Sequence, residues 1–309
     1  MLKYVVKRII YMFITIFCIA TATFFLMRSI PGDPLSSMAQ TLPEHTKANY
    51  YAKYGLDKPL FTQYLMYMKN LLHGDLGDSN VYPGRSVGGV IAETSPVSAA
   101  IGGPALVIGL VLGITFGVIA ALFKNKWPDY VVMVIAILGI TIPVFVLAAL
   151  LQYFFAVKLG WLPTSGWGEV KHAIIPIIVL SFGTIATYAR YIKSSMLDTL
   201  SQDYILTARV KGLSEGAVIR RHVMRNSILP AITLLGARIV GIFTGAFVTE
   251  RMFAIPGIGF YYINSINTND YAMTMGLTIF YGILFVISQL VVDIAYVLVD
   301  PRIRIASNN

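Results

Sequence analysis

Residues 99–123 read AAIGGPALVIGLVLGITFGVIAALF and carry no charged side chain. A hydrocarbon core about 30 Å thick is crossed by roughly 20 helical residues. A crossing segment must also satisfy its own backbone N–H and C=O groups, which a helix does by itself. The run lacks the strict alternation of a barrel strand, so it reads as a transmembrane helix. Five further runs have the same character, at residues 9–27, 130–157, 173–189, 229–249 and 275–298. The predicted fold is therefore an all-α polytopic membrane protein with about six transmembrane helices.

Composition agrees. Of the 309 residues, 56% are hydrophobic and 13% charged, against about a quarter charged in a soluble domain. The net charge of +9 forms no basic arm or patch interleaved with aromatics, which argues against nucleic acid. The basic residues follow the spans instead. Lys3, Lys7 and Arg8 precede the first run, and Lys124 and Lys126 separate the second from the third. Arg190, Lys193, Arg209, Lys211, Arg220, Arg221 and Arg225 crowd the segment between the fourth and fifth, and Arg302 and Arg304 follow the sixth. By the positive-inside rule these alternate segments and both termini are expected in the cytoplasm. The short opposite loops hold only Lys158, Lys171 and Arg251. Residues 29–96 form an external segment too long for the charge rule to apply.

Basic residues followed by an apolar run with Ala20-Thr21-Ala22 have the outline of a secretory signal. Phe24, Phe25, Leu26 and Met27 prolong the run past that point, so it reads as a span. The single cysteine, Cys18, lies within it; a disulfide framework and a thiolate metal cluster are excluded.

Three parts are expected: an N-terminal transmembrane helix at 1–28, an extracytoplasmic segment at 29–96, and a core of five transmembrane helices at 97–309 containing the loop 190–228. The external segment has turn residues at Pro31-Gly32-Asp33-Pro34 and at Gly74-Asp75-Leu76-Gly77. Between them Phe61, Tyr64, Leu65, Met68, Leu71 and Leu72 recur at three- and four-residue spacing, which predicts a helix with one apolar stripe. This makes a small cap, either a docking surface for an external partner or a lid over the helix ends. Gly109, Gly113 and Gly117, and again Ala237, Gly241 and Gly245, place small residues one turn apart. Such faces admit a neighbouring helix closely, either from this chain or from another subunit.

Residues 190–228 are far longer than a helix connection requires. Leu200, Tyr204, Ala208 and Lys211 fall on one face of a predicted helix that Gly212 should end. A second helix follows, with Val218, Ile219, His222 and Val223 on one side and Arg220, Arg221 and Arg225 on another. Two short helices meeting at a glycine would form a rigid knob suited to a groove on a soluble partner.

The string Asp203-Tyr204-Ile205-Leu206-Thr207-Ala208-Arg209-Val210-Lys211-Gly212-Leu213, continuing to Arg225-Asn226-Ser227-Ile228-Leu229-Pro230, resembles the coupling-loop signature of ABC importer permeases in the oligopeptide and dipeptide (peptide/nickel) branch. The general motif has Glu-Ala-Ala where this chain has Leu206, Thr207 and Ala208, and its Leu-Pro comes earlier; the peptide-branch version fits better. Further motifs resemble the B-type subunit of that branch in order: Pro31-Gly32-Asp33-Pro34, Tyr54-Gly55-Leu56-Asp57-Lys58-Pro59-Leu60 and Gly74-Asp75-Leu76-Gly77. Glu250 with Phe253, Pro256-Gly257-Ile258-Gly259, Asp270-Tyr271 and Asp300-Pro301-Arg302-Ile303-Arg304 complete the series.

The resemblance implies a non-catalytic permease subunit of an ATP-driven importer in a bacterial cell membrane, carrying oligopeptides or dipeptides. It implies a second homologous permease, two ATPase subunits and an extracytoplasmic solute-binding protein as partners, besides membrane lipid. ATP and Mg would be bound on the ATPase subunits and no cofactor on this chain. It also implies coupling through Asp203, Tyr204, Thr207, Ala208, Arg209, Gly212 and Leu213. Independently of the resemblance, no Gly-Lys dipeptide occurs in the chain, which excludes a phosphate-binding loop ending in Gly-Lys-Ser/Thr.

Two rivals stand beside this reading. Gly212-Leu213-Ser214-Glu215-Gly216 fits the pattern of a hydrolase nucleophile elbow, but that motif needs a strand before the serine. His45, His73, His172 and His222 are scattered without metal-ligand spacing. A secondary transporter driven by an ion gradient would place charged groups near the bilayer midplane. Arg238 and Asp293 are the clear intramembrane charges. Counted from Pro230 and Asp300, both lie roughly 10 to 12 Å deep at about 1.5 Å per residue. The expectation is an ion pair between the fifth and sixth spans; the alternative is that Arg238 snorkels while Asp293 faces a wet cavity.

Overall fold

The computed structural model describes residues 2–30, 51–52, 55–244 and 246–299. Pro31-Gly32-Asp33-Pro34, Tyr54, Gly245 and residues 300–304 lie outside them. Five helices are long and apolar enough to cross a membrane, and a bent helix pair supplies a sixth candidate span. The order is α1 (Leu2–Ser29), α2 (Leu60–Leu72), α3 (Val87–Leu122), α4 (Trp127–Thr141), α5 (Val144–Leu151), α6 (Val170–Leu200) and α7 (Asp203–Val210). Then follow α8 (Glu215–Val218), α9 (Met224–Thr244), α10 (Phe247–Met252), α11 (Ile258–Asn267) and α12 (Tyr271–Val299). Extended pairing is confined, among the described residues, to one bridge between Asp78 and Ser86.

The helices overrun the apolar runs that announce them. α3 begins at Val87 and the fifth span extends back to Glu215, because hydropathy marks the lipid-covered part of a helix and not its end. The third run differs more. It is broken at Ile142-Pro143, and its halves meet at 109°. Proline has no N–H and drives the preceding residue to extended backbone; Ile142 accordingly sits at φ −75°, ψ 120°. Beyond α5 the chain continues as a π-helical turn, Gln152–Lys158.

Two compact units are present: residues 1–97 with 256–286, and residues 98–255 with 287–309. In the first, Phe24, Met27, Tyr271 and Met275 form a core flanked by Tyr64 and Tyr67 of α2. The expected helix of the external segment is thus present as α2, but its packed face differs. Tyr64 and Tyr67 face inward, with Tyr67 stacked on Phe24 at 5.4 Å between centroids, whereas Phe61, Leu65 and Leu72 are exposed. Burial, and secondarily Tyr64, push the Tyr67 phenol well above its ordinary pKa. Asp270 caps α12 by accepting the Met273 N–H at 3.1 Å. The same buried carboxylate accepts the Ser79 hydroxyl and the backbone N–H groups of Asn80 and Val81 at 3.1 and 3.3 Å. One carboxylate therefore fixes a helix start and a loop together. Gly74-Asp75-Leu76-Gly77 is a turn as expected, with Asp75 accepting the Gly77 N–H at 2.8 Å.

In the second unit the glycine stripe of α3 meets α6. A β-carbon on Gly109, Gly113 or Gly117 would come within 2.6, 2.7 or 2.7 Å of the Cβ of Thr184, Tyr188 or Ile192, so only glycine permits this approach. Gly139 of α4 meets Ala186 of α6 in the same manner, at 2.8 Å. In α9 the contact falls elsewhere than on Ala237 and Gly241. Ala237 is exposed and Gly241 faces open space, while Gly236 approaches Gln289 and Val292 of α12.

Candidate functional site

The segment 203–223 is anchored from within the second unit. Ile205, Ala208, Val218 and Val223 join Tyr188, Ile192 and Met196 of α6 in one buried core, with Leu200 and Leu213 packed against it. This corrects the expected face of α7: Ile205 and Ala208 are its buried pair, whereas Tyr204 and Lys211 are exposed. The second expected face is present, with Val218 and Val223 buried, Ile219 and His222 half-buried, and Arg220, Arg221 and Arg225 exposed. It is not a separate short helix, however. α8, a π-helical turn Ile219–Val223 and α9 run on without a break.

The corner between α7 and α8 has a defined chemistry. Gly212 sits at φ +81°, the left-handed region that glycine enters without penalty. Its N–H donates to the Arg209 carbonyl at 2.9 Å, and the Leu213 N–H donates to the Ala208 carbonyl at 3.3 Å. These two bonds are the Schellman ending of a helix, and the burial of Leu213 beside Ala208 is the hydrophobic contact that accompanies it. Arg209 spans the corner, its Nε and Nη2 donating to Glu215 at 2.8 and 3.3 Å. Both partners are exposed, so the pair orients the corner more than it stabilises it. Tyr204 Oη accepts from Asn226 at 2.9 Å, and Thr207 returns its hydroxyl to the Asp203 carbonyl at 3.1 Å.

Of the residues expected to couple, Asp203, Tyr204, Thr207, Arg209 and Gly212 lie on the surface of this corner, while Ala208 is buried and Leu213 half-buried. Two others were missed. Leu206 is 62% and Val210 81% exposed, four residues apart on the outer face of α7, where they form a small apolar patch. The signal was in the sequence: once Ile205 and Ala208 point inward, helical spacing turns Leu206 and Val210 out.

Within the spans, Arg238 donates from Nη2 to Thr187 of α6 at 2.5 Å. Lys193 and Asp129 form an ion pair at 2.5 Å, with Asp129 3% and Lys193 20% exposed. Asp129 also accepts the Asn125 N–H at 3.1 Å. Glu250 is buried and accepts the hydroxyl of buried Ser98 at 2.6 Å.

Residues 113–305 match the family model described as a binding-protein-dependent transport system inner membrane component, and residues 1–101 match the N-terminal model of that system's membrane component. The chain is 44% identical over 305 residues to the dipeptide transport system permease protein DppB of Bacillus subtilis, covering 99% of each. It is 42% identical over 307 residues to the oligopeptide transport system permease protein OppB of Escherichia coli K12, covering 98% of this chain and 100% of that one. The fold resembles a chain from an inward-facing structure of the MetNI methionine ABC transporter, with a TM-score of 0.56, 17% identity, and coverage of 68% of this chain and 96% of that one. The polytopic helical fold, the helix corner outside the apolar runs and matches extending along the whole chain agree: this protein belongs to the family of binding-protein-dependent transport system inner membrane components, as a multi-pass, non-catalytic permease of the ABC importer class.

Proposed function

We propose that this chain forms one half of the membrane pathway of an ATP-driven peptide importer and takes its drive from a separate ATPase through the α7–α8 corner. The observation that carries the reading is the exposed apolar pair Leu206 and Val210 on a short helix whose opposite face is locked into the core. An apolar patch held rigidly outside the spans suits a protein groove. Peptides are the solute because full-length relatives at 44% and 42% identity are named dipeptide and oligopeptide permeases. A second homologous permease, two ATPase subunits carrying ATP and Mg, and an extracytoplasmic binding protein complete the complex. Leu206→Asp with Val210→Asp should prevent co-purification with the ATPase while leaving the membrane level of this chain unchanged. Undiminished co-purification would move the contact elsewhere.

The topology belongs to the same reading: a bacterial plasma membrane protein with both termini inside, residues 29–96 outside, and residues 190–228 in the cytoplasm. In a Cys18→Ser background, an impermeant thiol reagent added to intact cells should label Lys58→Cys and spare Arg220→Cys. The reverse pattern would invert the chain.

Pairing of Arg238 with Asp293 is a further part of the proposal, since a guanidinium retains donors after serving Thr187. Arg238→Leu should lower the yield of folded protein, and adding Asp293→Leu should recover part of it. Losses that simply add would dismiss the pair and leave Thr187 as the partner that holds Arg238.

A further inference from the structure

α6 carries a polar stripe that begins within the fourth apolar run and continues along its cytoplasmic extension. Gly183, Thr187, Arg190, Tyr191, Ser194 and Asp198 recur at three- and four-residue spacing, and the last four are exposed. Gly183 has nothing within 4 Å of where its β-carbon would stand, unlike the glycines that pack α3 and α4 against the other side of α6. The lower part of the stripe opens into a cavity of about 730 Å³ walled also by Met133, Ile140 and Pro230, within the roughly 300–1,000 Å³ typical of small-molecule sites. Thr187 lies within the fourth apolar run and Arg190 to Asp198 follow its cytoplasmic end, so the stripe leads from the span into water, and its inner polar groups must face protein or a water-filled path because lipid cannot solvate them.

The charges in the cavity differ in how they are held. Lys193 is neutralised by Asp129, whereas Arg190 has no carboxylate paired with it among the described residues. We infer that the α6 stripe is this chain's wall of the solute path, and that Arg190 receives the carboxylate of the passing peptide within the cavity. The inference rests on the peptide reading of the preceding subsection. A guanidinium offers two parallel donors to a carboxylate, a geometry that lysine lacks. Asp198, two turns further along the same face, lies on the side where a cationic group of the same solute would be favoured.

The test uses the complete transporter in inverted membrane vesicles, with Cys18→Ser and single cysteines at Thr187 or Ser194. Both should react with a charged, water-soluble thiol reagent, whereas Phe13→Cys on the exposed apolar side of α1 should not. Trialanine should protect Ser194→Cys, and trialanine amide, which lacks the carboxylate, should protect far less. Adding Arg190→Gln should abolish that difference and raise the trialanine concentration for half-protection about tenfold, the equivalent of one charge-assisted hydrogen bond. Arg190→Lys should retain part of the preference, which separates a lost charge from a misfolded chain. Unreactive Thr187→Cys and Ser194→Cys would show the stripe covered by another subunit or by lipid, and would overturn the inference. Equal protection by the acid and the amide would overturn it as well, even if trialanine is transported. A wild-type complex that transports neither dialanine nor trialanine would instead refute the peptide reading, and with it the carboxylate contact.

Discussion

Gly212→Val should leave the permease at its normal level in the membrane and reduce ATP-driven uptake about five- to thirty-fold, the effect of 1–2 kcal/mol on one conformational equilibrium. A non-glycine residue in the left-handed region costs roughly that amount, and a β-branched one fits it least well. The space beside Gly212 is empty, so the substitution meets no steric obstacle and acts through the backbone alone. What it disturbs is the pair of Schellman bonds closing α7, and with them the direction in which Leu206 and Val210 point. The core beneath, built on Ile205, Ala208 and Val218, is untouched. Gly212→Asn should therefore keep much of the uptake, because asparagine tolerates this region. Gly216→Ala, an open helical position with no positive φ, should be neutral. Uptake, ATPase stimulation and co-purification with the ATPase subunit should fall together in Gly212→Val; loss of uptake with full ATPase binding would place the defect outside the corner.

Lys193→Met should be the most destabilising single change considered, by about 3–5 kcal/mol, because it leaves a buried carboxylate without its cation. Asp129 is 3% exposed, and the Asn125 N–H is its other partner. Asp129→Asn on top of Lys193→Met should restore most of the stability: an amide oxygen still accepts from Asn125, and no charge is stranded. The thermal midpoint of the detergent-purified protein, followed by size-exclusion recovery after heating, reads this directly. A double variant no better than Lys193→Met would mean that the pair carries little of the fold.

Hydropathy made the membrane helices legible because lipid solvates apolar side chains wherever they sit, independently of the rest of the fold. It could not place helix ends such as Val87 or Glu215, which lie in polar sequence. The third run was long for a single span, and Pro143 within it was the visible mark of the 109° break. Gly109, Gly113 and Gly117 gave a true helix contact, because three small residues in register have no other use than close approach. At Ala237 and Gly241 the contact within this chain falls on Gly236 beside them, and their own face stays uncovered by it. In the α7–α8 corner, Gly212 was legible as the end of a helix, but which face of α7 is buried was not: Tyr204 and Ile205 are adjacent, and only the position of α6 decides between them. The polar partnerships Asp129–Lys193, Glu250–Ser98 and Asp270–Ser79 join residues 64, 152 and 191 apart, distances over which no local spacing rule speaks.

The central claim is that this permease moves peptides on ATP and not on an ion gradient. The direct measurement is uptake of labelled trialanine into proteoliposomes holding the complete complex, with binding protein outside and ATP sealed inside. Accumulation should require hydrolysable ATP and persist when ionophores collapse the proton and sodium gradients. Accumulation without ATP that those ionophores abolish would contradict it.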